Sequence, residues 1–218
     1  MNVSSQPARE KLFSALRPNL RGLASRGSIR SYPKNSVIIN EGEAGDALFV
    51  LLQGRVKVYS NDSAGREITF NFVDHGDYFA EMCIDGGPRS ASVMTMEPAV
   101  CSVVSPAAVR QHMSEEPGFA FDLISQVIRR ARAATDTARN MALLDVYGRM
   151  VVALQGPPGS ARTERPLTLT KITHQSIASR VGASREMVSR LLKDLEKGGY
   201  IELGVKRITL LKKLPARW

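Results

Sequence analysis

Two cysteines in 218 residues, Cys83 and Cys101, are too few for a disulfide framework or a four-thiolate metal cluster. They are read as small buried hydrophobes. The three histidines, His75, His112 and His174, are scattered and have no cysteine or carboxylate at metal-ligand spacing. Neither a metal site nor a nucleophile–base pair is expected, and with them no catalysis. Long apolar runs are missing too, since none approaches the ~20 residues that span a bilayer. The N-terminus, MNVSSQPAREKLFSAL, lacks the basic-then-apolar order of a secretory signal. A reducing cytoplasm, with no membrane partner, is the expected compartment.

Acidic residues are scarce in one place only. Residues 151–218 hold 13 Lys and Arg against 5 Asp and Glu, a net of +8, whereas residues 1–150 hold 17 against 16, a net of +1. Nearly all of the formal +9 therefore sits at the C-terminal end. A compact positive region attracts a phosphate backbone and releases its counterions. Heparin-like polymers or a membrane surface use the same charge, but neither needs the pattern found within it.

That pattern is ITHQSIASRVGASREMVSRLLKDLEKGGYI, residues 172–201. Thr173 is placed to cap one helix, HQSIASRV. Gly182 stands at the sharp turn, and Ser184 caps a second helix that ends at a glycine pair. Ile177, Val181, Val188, Leu191, Leu192 and Leu195 supply the apolar face that joins them. Arg185, Glu186, Ser189 and Arg190 project from the first turns of the second helix, the turns that enter the major groove in a helix-turn-helix. The alternative is an ordinary helical hairpin with surface arginines. ELGVKRITLLKK follows as a β-hairpin wing.

The first half reads differently. SVIINEG, ALFVLLQGRVKVYS, REITFNFVDHGDYF and SASVMTMEPAVCSVVS are β-branched and aromatic runs separated by glycine or acidic turns, which suggests a sandwich or jelly roll. EKLFSALRPNLRGLAS is expected to form one or two short helices over it. A long helix is expected from about Pro117 to Leu154. Within it Ile124, Val127, Ala131, Ala134, Ala138 and Met141 follow at steps of three and four, a heptad seam suited to a second copy of the helix or to the chain's own barrel. The stretch QGPPGSARTERP, residues 155–166, breaks that helix.

Barrel, long helix and helix-turn-helix in this order resemble the CRP/FNR family of bacterial transcription regulators over nearly the whole chain. NEGEAGDALFVLLQGRVKVY is similar to its early barrel hairpin and GDYFAEMCIDGGPRSASV to its phosphate-binding cassette. MALLDVYGRM is similar to its hinge, and GASREMVSRLLKDLE to its recognition helix. The resemblance implies an α+β architecture: an N-terminal jelly-roll sensor over residues 1–116, a dimerisation helix over 117–154 and a winged helix-turn-helix over 155–218. It also implies a cytoplasmic homodimer that binds double-stranded DNA, works with RNA polymerase and answers to a cyclic nucleotide, cyclic AMP or cyclic GMP, without a metal.

The ligand residues implied are Ala80, Glu81, Met82, Arg89 and Ser90 of the cassette, with Ala134 and Thr135 of the long helix. A short helical turn after Phe79 would aim backbone N–H groups at an anion. Arg89 would supply a fixed charged fork, Ser90 a second hydrogen bond, and Glu81 an acceptor for a ribose hydroxyl. An empty barrel with a structural Glu81–Arg89 pair is the alternative. Two departures stand out. Ala80-Glu81 replaces the family's common Gly-Glu, and Ala134 has no hydroxyl where the cyclic-AMP receptor has one for adenine. Arg132, Asp136 and Arg139 lie on adjoining turns and fit either cyclic di-GMP or a simple Arg132–Asp136 surface pair. The N-terminal cysteine cluster of the iron–sulfur branch is missing, and the histidine positions do not support haem. Arg185, Glu186 and Arg190 match the family's base-reading positions and imply an inverted TGTGA-like repeat, with Thr173, Ser184 and Ser189 also at the DNA face. A ligand-independent regulator with a vestigial barrel, or a cyclic-nucleotide-binding module for a partner enzyme, are the other functions this pattern allows.

Overall fold

The computed structural model describes residue 10, residues 12–156 and residues 165–215. The chain forms two compact units. One comprises the chain up to Ser60 together with Phe70–Ala131, the other Asn61–Thr69 together with the chain from Arg132 onward.

The first unit is built on β1 (Ser28–Tyr32), β2 (Val37–Ile39), β3 (Leu48–Gln53), β4 (Arg55–Asn61), β5 (Glu67–Asp74), β6 (Tyr78–Phe79), β7 (Ser92–Thr95) and β8 (Ala99–Val104). They form two four-stranded sheets, β1-β8-β3-β6 and β2-β7-β4-β5. The β3 sequence LFVLLQ is almost wholly apolar because both of its faces are covered. Phe49 and Leu51 join Ile39, Val56, Val73, Phe79, Val93 and Cys101 in one core cluster. Leu48, Val50 and Leu52 turn the other way and join a second. That second cluster also takes in Leu20, Leu23 and Ala24 of helix α1 (Pro18–Ser25) and Phe119 and Leu123 of the long helix. At the β3–β4 turn Gly54 has φ +92°, and a Cβ there would lie 2.6 Å from the Pro98 carbonyl oxygen, so this tight reversal requires glycine. The run SASVMTMEPAVCSVVS forms two strands, β7 and β8.

Helix α2 (Pro106–Glu115) starts on Ser105, whose hydroxyl accepts from the Ala108 N–H, with Pro106 in the first turn. Helix α3 (Pro117–Leu143) has 27 residues and is about 40 Å long. Phe119, Leu123 and Gln126 are its buried face. The opposite face leaves Phe121 and Ile124 71% and 52% exposed, with Val127 and Ile128 also open. Of the expected seam, Ile124, Val127, Ala131, Ala134 and Ala138 are exposed in the single chain and Met141 is half-buried.

The expected helix from Pro117 to Leu154 is two helices. α3 ends at Leu143 and α4 (Val146–Gln155) begins after Asp145. Asp145 is extended, and its carboxylate accepts from the Gly148 N–H at 2.7 Å, which makes it an N-cap in the middle of an otherwise helical pattern. Of the expected linker 155–166, residues 157–164 lie outside the described residues.

The second unit continues with β9 (Leu167–Thr170), α5 (His174–Val181), α6 (Arg185–Lys197), β10 (Ile201–Gly204) and β11 (Arg207–Leu210). The wing is a three-stranded antiparallel sheet, β10-β11-β9, where a two-stranded hairpin is expected from the sequence. Tyr147, Met150 and Leu154 of α4 share one core with Ile177, Val181, Val188, Leu192, Leu195, Ile208 and Leu210. Among the described residues no helix is long and apolar enough to cross a membrane.

Candidate ligand and DNA-binding sites

The cassette is a local build after β6. Ala80 sits in the left-handed region, φ 64° and ψ 26°, and turns the chain into a 3-10 turn, Glu81–Asp85. Gly86, also left-handed, ends that turn, and Asp85 Oδ1 accepts from the Gly87 N–H at 2.8 Å. The loop is then fastened to residues 42–44. The Gly42 N–H donates to the Arg89 carbonyl and the Arg89 N–H to the Glu43 carbonyl, each at 2.8 Å, and Ala44 bridges Pro88. These bonds fix the Arg89 backbone.

The Arg89 side chain is held in turn. Its Nη1 donates to the Ala80 carbonyl at 3.3 Å, and the guanidinium lies 5.9 Å from the Phe49 ring centre. A Cβ on Gly45 would come within 3.0 Å of Arg89 Nε, so glycine makes room for it. Among the described residues Arg89 pairs with no carboxylate. A half-buried, positioned cation without a counter-charge is suited to an anion. Ser90 is exposed beside it, its hydroxyl 3.2 Å from the Met82 sulfur. Cys83, in the middle of the turn, is buried, and burial pushes the pKa of its thiol up against a smaller opposing pull from Arg89.

Glu81 does not pair with Arg89. It is 7% exposed, and its carboxylate is ion-paired with Arg130 of α3. Arg130 Nη2 also donates to the Tyr78 carbonyl at 2.8 Å, just ahead of the cassette. Arg130 is the site residue missed at the sequence level. The signal was its register: Phe119, Leu123, Gln126 and Arg130 follow at steps of four, three and four along the buried face of α3. An arginine continuing a buried stripe implies an acceptor beneath it.

The structure therefore brings Ala80, Glu81, Met82, Arg89 and Ser90 together. Ala134, Thr135 and Arg132 lie on exposed turns of α3, past the residues of the first unit. Asp136 pairs with Arg139 at 2.9 Å, three residues on, rather than with Arg132. Both spacings place the partners on one helix face, and the pair is solvent-facing.

In the second unit Thr173 caps α5 through a capping box with Ser176, at 3.0 and 2.9 Å. Gly182 takes φ +62° at the turn, and Ser184 caps α6 by accepting from the Met187 N–H at 3.2 Å. Val188, Leu192 and Leu195 are fully buried. That rotation leaves Arg185, Glu186 and Arg190 exposed and Ser189 half-buried, 2.8 Å from His174 Nδ1. Arg149 of α4 joins the end of α3 to this motif: its Nη1 donates to the Leu144 carbonyl at 2.7 Å and its Nε to the Val181 carbonyl at 2.8 Å. Met141 of α3 packs at the turn, where a Cβ on Gly182 would lie 3.1 Å from its methyl.

Two antiparallel sheets with a half-buried, positioned arginine at the cassette, continued by a long helix into a winged helix-turn-helix, have the architecture of a sensor and a DNA reader on one chain. Residues 29–116 match the cyclic nucleotide-binding domain family and residues 143–214 the Crp-like helix-turn-helix domain. The chain is 32% identical over 197 residues to the cAMP-activated global transcriptional regulator CRP of Salmonella typhimurium, covering 88% of this chain and 94% of that protein. It is 32% identical over 190 residues to the cAMP-activated global transcriptional regulator Vfr of Pseudomonas aeruginosa, covering 83% and 88%. In fold it is similar to the c-di-GMP responsive global regulator CLP of Xanthomonas campestris, with TM-score 0.76, 23% identity and coverage of 88% and 98%. The catabolite activator protein of Thermus thermophilus aligns with TM-score 0.54 and 27% identity, covering 93% and 94%. The chain belongs to the CRP/FNR family of DNA-binding transcription regulators, on its cyclic-nucleotide-binding branch.

Proposed function

We propose that this chain works in the cytoplasm as a homodimer whose operator affinity is set by a cyclic mononucleotide, cyclic AMP or cyclic GMP, and that the DNA-bound dimer acts on RNA polymerase. Arg89 and Ser90 take the phosphate, helped by the backbone of Ala80 and Met82. Glu81 accepts from the ribose, and Ala134 and Thr135 meet the base. The exposed apolar face of α3 is covered by the same face of a second copy.

The observation that carries this reading is the pairing of Arg130 with Glu81. It ties the cassette to α3, and the far end of α3 is tied through Met141 and the Leu144–Arg149–Val181 bonds to the helix-turn-helix. A ligand that alters the Glu81 contacts thereby acts on the helix that carries the DNA reader, and its differential affinity for the two placements is the coupling. Arg185, Glu186 and Arg190 then read an inverted TGTGA-like repeat, arginine to guanine and glutamate to cytosine. The alternative ligand is cyclic di-GMP, on which Arg132 and Arg139 would stack and from which the exposed Asp136 would accept.

Calorimetry with a panel of cyclic mono- and dinucleotides, followed by operator binding with the tightest ligand, tests the proposal. Binding of a mononucleotide that also tightens operator binding is expected. Operator binding indifferent to every ligand would mean a vestigial barrel. Ligand binding without any duplex binding would mean a regulatory module for another protein.

A further inference from the structure

His174 is the first residue of α5, half-buried, with Nδ1 2.8 Å from the Ser189 hydroxyl. Its Nε2 has no partner among the described residues. Arg185, Ser189 and Lys193 follow at i, i+4 and i+8, one stripe of α6, so the ring bonded to Ser189 has a cation one helical turn away on either side. On α5 itself the only other charged side chain is Arg180, six residues on. α4, also packed on α5, carries only Arg149, which is occupied at the far end of α5. No carboxylate is among the groups that act on the ring. In a docked helix-turn-helix the first helix crosses the phosphate backbone while the second enters the groove, so the missing counter-charge is the DNA.

We propose that His174 is a proton-linked phosphate contact: the free protein holds it as a neutral imidazole against Ser189, and docking on duplex DNA draws a proton onto it. This deepens the DNA-binding function and does not depend on the ligand. In the free protein burial first, and then the Arg185 and Lys193 charges, hold its pKa below the usual histidine value. A nearby phosphate acts the other way. Below the free-state pKa the ring is charged with or without DNA, and above the bound-state pKa it is neutral in both, so affinity is flat at both extremes. Between them binding takes up one proton, and each pH unit upward weakens it by up to about tenfold.

The test is anisotropy of the full-length protein with a short mixed-sequence duplex at low salt, without cyclic nucleotide, across the histidine range, with proton uptake counted by calorimetry in two buffers. The wild type is expected to bind about tenfold tighter at the acid end. His174→Gln should be flat at the weak level, His174→Arg flat at the tight level, and neither should take up the proton. A pH response retained in His174→Gln would assign it to another group and overturn the proposal, as would a flat wild-type profile. Failure to bind duplex at every pH would remove the DNA-binding function itself.

Discussion

Ala80 stands where glycine would fit without strain. An L-residue in the left-handed region costs roughly 1–2 kcal/mol, and glycine returns roughly 0.5–1 kcal/mol of that as extra chain entropy lost on folding. Ala80→Gly should therefore stabilise the barrel by about 0.5–1 kcal/mol, seen as a higher urea midpoint at unchanged slope; a lower midpoint would mean that the methyl packs usefully. Arg130 is the opposite case. Removing it leaves the buried Glu81 carboxylate without its charge partner. Arg130→Ala should cost about 3 kcal/mol, and Glu81→Gln in that background should recover part of it, because a neutral amide tolerates burial better. Equal loss in the single and double variants would show that the pair is only incidental. The two residues also show where reading the chain stops. Ala80, Glu81, Arg89 and Ser90 lie within one short stretch, so their association was legible from local spacing. Arg130 meets Glu81 across 49 residues, and its neighbours Arg129 and Arg132 make it look like one more surface arginine.

Two helices carry the functional proposals at the level of elements. Arg185→Ala and Arg190→Ala in α6 should each cost ~1–3 kcal/mol of operator binding and relax one base position, read by competition and in vitro selection. A uniform loss across all sequences would make them phosphate contacts instead. In α3, Ile124→Glu with Ile128→Glu places charge on the exposed apolar face and should shift the protein toward monomer in sedimentation velocity; an unchanged mass would show that this face is not a subunit seam. The caps and turn of the helix-turn-helix were legible because Thr173, Gly182 and Ser184 act on backbone groups within four residues of themselves. The break at Asp145 was signalled only by the resemblance of MALLDVYGRM to a hinge and not by periodicity, because Tyr147, Met150 and Leu154 continue an apolar helical stripe beyond it, and a lone aspartate mid-pattern reads as surface charge. β9 was hidden for another reason. Its four residues, LTLT, become a strand by pairing with β11, some forty residues on.

At the scale of the whole molecule the chain keeps its charge and its ligand chemistry apart. The near-neutral first 150 residues hold the proposed Arg89 cradle, and the strongly basic remainder holds the helix-turn-helix. Helix α3 pairs with the cassette through Arg130, and Met141 near its end packs at the Gly182 turn of the helix-turn-helix. The order of the parts was legible from sequence because each has its own periodicity and composition. The fastenings were not, because each is a side chain reaching a distant carbonyl, carboxylate or glycine. The central claim is that occupancy of the Arg89 cradle changes DNA binding, and operator affinity measured with and without saturating cyclic nucleotide, in the wild type and in Arg89→Ala, tests it most directly. The account predicts that ligand tightens wild-type binding by roughly 5–150-fold and leaves Arg89→Ala, a folded dimer, at the unliganded affinity. Equal wild-type affinities with and without a ligand shown to be bound would contradict it.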